Sequence, residues 1–193
     1  PPLKKHLDEY REARQQRAEK IWKKLNNLGV KFEFELILEK AGVAPVTRPH
    51  IAAAIRDTGY VETLKEAFVK YIGDKCPADV QKTFYAVEKC IKLINDSGGM
   101  ASLAHPALTV TQSILYKMIR HGLDGIEVIH PMHSESLRKY YNNTASQYWL
   151  LGTGGSDFHG NKEWDDNNFG NFVIPYSAVE SLKIHTGKVV SER

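Results

Sequence analysis

The segment Gly154-Gly155-Ser156-Asp157-Phe158-His159-Gly160 follows a short apolar run, residues 148–153, with the pattern of a buried strand. Asp157 and His159 therefore lie just past the carboxyl end of a predicted strand, where α/β enzymes place their chemistry. Side chains two residues apart in an extended segment point the same way, and carboxylate and imidazole groups both bind Zn, Mn or Fe. The segment predicts a divalent-metal site, although a polar glycine-rich turn has the same local pattern.

Upstream of this segment, the second half of the chain alternates strands with amphipathic helices. Strands are predicted at residues 100–104, 125–129 and 148–151. This order is typical of a parallel βα architecture, in which the carboxyl ends of the strands share one edge. His105 follows the first of these strands, and His130 and His133 follow the second. A single histidine at a strand end is usually structural, but three successive polar strand ends predict one site.

The first half of the chain is predicted to be almost purely helical, and we place a domain boundary between residues 1–97 and 98–193. One of its helices begins near Thr47, a candidate N-cap, with Pro49 in the first turn. Arg48 and His50 then lie at a helix N-terminus, where backbone N–H groups favour an anion such as phosphate. The alternative is that Arg48 caps a neighbouring helix and that His50 is a packed surface histidine.

The long first helix, residues 4–27, carries Arg11, Arg14 and Arg17. Arg11 is expected on a solvated face with local ion pairs. For Arg14 and Arg17, a solvated face and a phosphate contact both remain open.

Composition narrows the class of protein. The chain has 193 residues and a formal net charge of +3, which allows an anionic substrate but does not itself indicate nucleic-acid binding. No apolar run approaches the roughly 20 residues that span a membrane. Cys76 and Cys90 lack a metal-binding or disulfide pattern, so we expect a reducing, cytoplasmic compartment. The chain opens with Pro1-Pro2-Leu3 and no methionine, and we expect it to be a piece of a longer protein.

Four motifs together resemble the PHP-domain metal-dependent phosphoesterases. They are Arg48-Pro49-His50-Ile51-Ala52, Gly99-Met100-Ala101-Ser102-Leu103-Ala104-His105-Pro106, Asp124-Gly125-Ile126-Glu127-Val128 with His130-Pro131-Met132-His133-Ser134, and the segment 154–160. The likeness is greatest to the bacterial branch that removes phosphate from nucleoside 3′,5′-bisphosphates and trims the 5′ ends of short RNA. It covers nearly the whole chain.

This resemblance implies an α/β fold, the C-terminal part of a distorted (βα)7 PHP barrel with an α-helical insertion domain. It implies a centre of two or three divalent ions (Mn, Fe or Zn) and a nucleotide or short RNA substrate. His105, Asp157 and His159 are similar in position to metal ligands, and Arg48 and His50 to phosphate contacts. His130 and His133 become candidate catalytic residues, with His133 a candidate proton donor, and Glu127 is expected to pack or hydrogen-bond beside the site.

The chain departs from the family at its start, since the His-x-His strand motif and further metal ligands are absent. We expect a missing N-terminal segment or a partner chain to complete the barrel. Two alternatives stay open: another PHP phosphatase, acting on histidinol phosphate or accompanying a polymerase, and a non-catalytic remnant that binds nucleotides or a protein.

Overall fold

A computed structural model describes residues 2–82, 84–107, 109–160 and 165–186. The chain divides into two compact units, Pro1–Phe84 and Tyr85–Arg193. None of the helices within the described ranges has the length and hydropathy of a membrane-spanning segment.

The first unit is built from helices, as predicted. They are α1 (Pro2–Asn27), α2 (Phe34–Ala41), α3 (Arg48–Asp57) and α4 (Leu64–Ala67), which continues into a π-helical turn (Phe68–Ile72). Apolar residues three or four positions apart place one face of each helix inward. Ile21 and Leu25 of α1 pack in one buried cluster with Ile37, Ile51 and Ile55. This cluster is the core that holds the N-terminus of α3 in place.

The second unit combines helices with a small parallel sheet. Its elements are α5 (Val87–Asp96), β1 (Ser102–Leu103), α6 (Gln112–Arg120), β2 (Gly125–Ile129), α7 (Glu135–Tyr148), β3 (Leu151–Gly154), α8 (Asp165–Asn168) and α9 (Tyr176–His185). The strand order is β1-β2-β3, and both pairings are parallel. Ile126 is fully buried in the central strand, in one core with Ile91, Leu115 and Tyr141. The α/β class is therefore confirmed, whereas the seven-stranded barrel and the insertion domain stay predictions.

The structure divides the chain at residues 84/85, before the boundary that we predicted at 97/98. The reason is α5, which belongs to the second unit. Ile91 joins the core of that unit, Glu88 pairs with Lys117 at 2.6 Å, and the Asn95 side chain donates to the Gly122 carbonyl at 2.8 Å. These contacts are long-range, so the local helical pattern carried no sign of them.

The third strand also begins later than predicted. Helix α7 runs through Tyr148, and Trp149 then adopts a left-handed conformation with φ 54°, which ends the helix and starts β3 at Leu151. The apolar residues 148–150 therefore belong to the helix end and its connection.

Candidate functional site

The parallel sheet brings the predicted strand-end residues to one edge. His105 lies two residues after β1, His130 directly follows β2, and Asp157 lies three residues after β3. Because the three strands are neighbours and run the same way, their carboxyl ends share an edge. The structure thus places a polar cluster where the sequence predicted one.

Distances within this cluster are short. The His105 and His130 rings lie 5.5 Å apart, and His130 Nε2 lies 3.8 Å from Asp157 Oδ2. Asp157 Oδ2 is also 3.8 Å from His159 Nδ1. The Glu127 carboxylate accepts a hydrogen bond of 2.5 Å from the His105 backbone N–H, so Glu127 does hydrogen-bond beside the site.

Two residues of the cluster have strained backbones. His105 has φ 29° and Asp157 has φ 52°, in the left-handed region that non-glycine residues seldom occupy. Such a conformation costs about 1–3 kcal/mol and persists only where surrounding contacts enforce it. Strain at two of the three predicted metal ligands supports a functional role for the edge.

His130 carries a buried N–H group that is directed into the cluster. Its side chain is 2% exposed, and its Nδ1 accepts from the Met132 backbone N–H at 3.1 Å. In the neutral ring the proton must then be on Nε2. Burial lowers the pKa of His130, and the nearby Glu127 and Asp157 carboxylates oppose this only in part. No atom of the described residues hydrogen-bonds to Nε2, so this N–H is available to an incoming oxygen.

His133 differs from His130 because the protein uses both of its ring nitrogens. A carbonyl can only accept, so Nδ1 donates to the Val128 carbonyl at 3.0 Å. Nε2 then accepts from the Ala107 backbone N–H at 3.1 Å. The ring is 2% exposed. This geometry favours a role in positioning the chain after His105 over the proton-donor role that the sequence suggested.

Two further residues support this edge of the sheet, and the sequence patterns indicated neither of them. Tyr141 donates its hydroxyl to the Ala107 carbonyl at 2.5 Å, and burial, with Tyr140, raises the pKa of Tyr141. Asp165 is 1% exposed and accepts from the His159 backbone N–H at 3.1 Å. Tyr141 resembles any apolar helix residue, and Asp165 lies in a polar run, so neither carries a sequence signal.

The donor types suit a divalent ion, but the geometry is incomplete. His159 Nδ1 donates to the Asp157 carbonyl at 2.5 Å, which leaves the lone pair of the neutral ring on Nε2, the usual metal-binding state. Asp157 adds a carboxylate beside it. Among the described residues, however, no three His, Cys, Asp or Glu side chains are arranged to hold a metal ion. His105, Asp157 and His159 therefore fit by chemistry without forming a closed ligand set.

The predicted phosphate contacts lie in the first unit. As predicted, α3 begins after Thr47 with Pro49 in its first turn, and the Thr47 N–H donates to His50 Nδ1 at 3.2 Å. His50 Nδ1 is thus engaged in capping. Arg48 Nη1 contacts Asp74 Oδ1 at 2.7 Å, and this guanidinium lowers the pKa of Asp74. Arg48 lines a cavity of about 340 Å³, whose lining does not include His50.

Several curated bacterial proteins are similar in sequence to this chain. The 5′-3′ exoribonuclease Rnm of Salmonella typhimurium is 29% identical over 169 residues, which is 85% of this chain and 58% of that protein. The 3′,5′-nucleoside bisphosphate phosphatase of Chromobacterium violaceum is 28% identical over 82% of this chain and 58% of its own length. A phosphoribosyl 1,2-cyclic phosphate 1,2-diphosphodiesterase of Eggerthella lenta is 29% identical over 74% of this chain. The chain thus spans somewhat more than half of these relatives.

No family model matches the chain. Solved structures with a similar fold include the following two. A candidate metal-dependent phosphoesterase from Bifidobacterium adolescentis has a TM-score of 0.75 and 27% identity over 92% of this chain and 64% of its own. An amidohydrolase from Chromobacterium violaceum, with bound sulfate and no metal, has a TM-score of 0.74 and 24% identity over 96% of this chain and 67% of its own, a likeness of fold alone. These likenesses confirm the resemblance that the motifs predict, because the chain is similar to proteins named as an exoribonuclease, a nucleoside bisphosphate phosphatase and a metal-dependent phosphoesterase.

Proposed function

We propose that this chain is part of a metal-dependent phosphoesterase that hydrolyses phosphate esters of nucleotides, either nucleoside 3′,5′-bisphosphates or the 5′ ends of short RNA. The observation that carries the proposal is the strand-end cluster, in which His105, His130 and Asp157 meet at one edge of the parallel sheet. The substrate classes are those named for the relatives.

In this proposal His105, Asp157 and His159 hold divalent metal. The ion would supply a Lewis acid that polarises a phosphoryl oxygen and acidifies a water molecule. Since these three side chains form no closed set among the described residues, the proposal assigns the remaining ligands to the part of the relatives' length that this chain does not span, or to a partner chain. The same part would supply the remaining strands of a (βα)7 barrel, with the first unit as the helical insertion.

His130 has the role of a hydrogen-bond donor. Its pKa is lowered by burial, so the ring is neutral at pH 7 and its Nε2–H points toward Asp157. A neutral imidazole N–H stabilises negative charge on a phosphoryl or leaving oxygen without giving up its proton. His133 acts one step away, because it ties Ala107 to β2 and so fixes the backbone that carries His105. Arg48 contacts a phosphate of the substrate, with His50 beside it.

The test uses the chain supplied with the remaining portion of the protein, and measures bound metal by elemental analysis and phosphate release from a nucleoside 3′,5′-bisphosphate with added Mn, Fe or Zn. Asp157→Asn is expected to lose both metal and turnover. The matched control is Asp96→Asn, because Asp96 lies on α5 and pairs there with exposed Lys92. An Asp157→Asn protein that keeps metal and activity would contradict the proposal.

A second candidate is a non-catalytic nucleotide-binding domain, which the incomplete ligand set favours. The same experiment separates the two. The non-catalytic role would be supported if the wild-type chain retained no metal and released no phosphate even when the remaining portion of the protein was supplied.

A further inference from the structure

The cavity of the first unit has an apolar floor and a cationic rim. It measures about 340 Å³, at the lower end of the range of roughly 300–1,000 Å³ that small-molecule sites occupy. Buried Ala18, Ile21 and Ile51 contribute to the floor. The basic residues that line it are Arg14, Arg17, Arg48 and Lys82. No acidic side chain is among the described residues that line it, which distinguishes the cavity from a solvated face of mixed charge.

The protein holds these cations close together. Arg14 and Arg17 lie one turn apart on α1, and Arg48 opens α3. Burial lowers the pKa of Arg17, and the positive charges of Arg48 and Arg14 lower it further. In the part of the chain that the structure describes, two carboxylates pair with these arginines: Asp74, 2.7 Å from Arg48, and Asp79, 3.8 Å from Arg17. Four cations against two carboxylates leave a positive field, which a bound anion would neutralise.

Two of the arginines are held rigidly and still have donors to spare. Arg17 Nε donates to the Val80 carbonyl at 2.6 Å, and Arg48 stacks on the Phe68 ring with its Cζ 5.7 Å from the ring centre. Arg14 lies over the Tyr10 ring at 4.9 Å. A guanidinium has five N–H donors, so each retains several for a phosphate. Because their positions are set in advance, little side-chain entropy is lost when a ligand binds.

We propose that this cavity binds the phosphorylated portion of a nucleotide carrying at least two phosphate groups, with Arg14, Arg17 and Lys82 joining Arg48 as phosphate contacts. The apolar floor and the Tyr10 ring suit the base or sugar. The proposal rests on the proposed function for the class of ligand, but it requires neither metal nor the strand-end cluster. Under this proposal Arg14 and Arg17 are phosphate contacts rather than part of a solvated face.

The test is isothermal titration of the whole chain in the presence of EDTA, with adenosine 3′,5′-bisphosphate as the probe and adenosine as its uncharged counterpart. The bisphosphate is expected to bind, and adenosine at least tenfold more weakly. Arg14→Gln and Lys82→Gln should each weaken bisphosphate binding about tenfold or more, the usual effect of losing a charge-assisted contact. Arg17 is not the residue to change first, because it also holds Val80.

The chain offers matched controls for both variants. Arg11→Gln removes an exposed guanidinium from the same helix, and Lys65→Gln removes an exposed ammonium from α4, and neither residue lines the cavity. Both should leave the affinity within about twofold of the wild type. No binding by the wild type, equal binding of adenosine, or equal losses in the variants and their controls would each overturn the proposal. Metal-free binding without any metal-dependent turnover would instead refute the proposed activity and leave this site standing.

Discussion

The hydrogen bond between Tyr141 and Ala107 gives a sharp test of how the strand-end site is held. The hydroxyl donates to the Ala107 carbonyl at 2.5 Å, and both residues are buried. Tyr141→Phe keeps the ring and its packing but leaves that carbonyl without the hydroxyl. A buried acceptor that loses its partner costs about 1–3 kcal/mol in the free energy of unfolding. This corresponds to a roughly 5- to 150-fold larger unfolded population.

The position of Ala107 adds to the expected effect. Its φ is 42°, a left-handed conformation that an alanine keeps only under constraint, and its N–H is held by His133. Tyr141→Phe removes one of these two constraints, so the segment after His105 should also exchange its amide protons faster. Urea unfolding followed by circular dichroism measures the first effect, and hydrogen exchange measures the second.

The neighbouring tyrosine provides the control. Tyr140 lies edge-on to Tyr141 with ring centres 5.1 Å apart and is 40% exposed. Tyr140→Phe is expected to change the free energy of unfolding by less than about 0.5 kcal/mol. If Tyr141→Phe is no less stable than Tyr140→Phe, the idea that this hydrogen bond holds Ala107 is refuted.

Two further predictions concern the sheet and the helix start. A Cβ at Gly154 would lie 2.6 Å from both the Cβ and the carbonyl oxygen of Ile129, so Gly154→Ala should lower the free energy of unfolding by about 1–3 kcal/mol. A Cβ at Gly155 would meet nothing within 4 Å, so Gly155→Ala should change the free energy of unfolding little. Equal urea midpoints for the two variants would contradict this prediction. Burial lowers the pKa of His50 below the ordinary histidine value of about 6.5. The stability that the neutral ring contributes is therefore fully present above about pH 6.5 and is lost as the pH falls through the lowered pKa. The glutamine in His50→Gln keeps an acceptor for the Thr47 N–H but does not titrate. The free energy of unfolding of this variant should therefore fall less between pH 7 and 5 than that of the wild type. If both proteins lose stability equally over this range, the capping role of the neutral His50 ring is contradicted.

Local patterns were sufficient for several features of the fold and the site. The start of α3 was predicted from Thr47 and Pro49, because capping depends on residues within one turn. The extent of β2 was predicted from its apolar run alone. That His105, His130 and Asp157 meet was also foreseen, since parallel strands necessarily align their carboxyl ends.

Other features required coordinates because they depend on contacts between distant residues. The clearest example is the different hydrogen bonding of two nearby histidines. His130 keeps an N–H available for a ligand, whereas both ring nitrogens of His133 hydrogen-bond to the backbone, at Val128 and Ala107. Nothing in their spacing predicts this, because the tautomer of each ring is set by a backbone group that only folding brings near.

The sequence by itself determined the alternation of strands and helices from β1 to β3, the helix start at Thr47 and the edge at which the polar residues gather, because each follows from local periodicity and the direction of the chain. Only the tertiary structure decided that α5 joins the second unit and that Arg14, Arg17, Arg48 and Lys82 surround one cavity. Those outcomes depend on side chains separated by tens of residues, whose burial and charges interact only after the helices have packed.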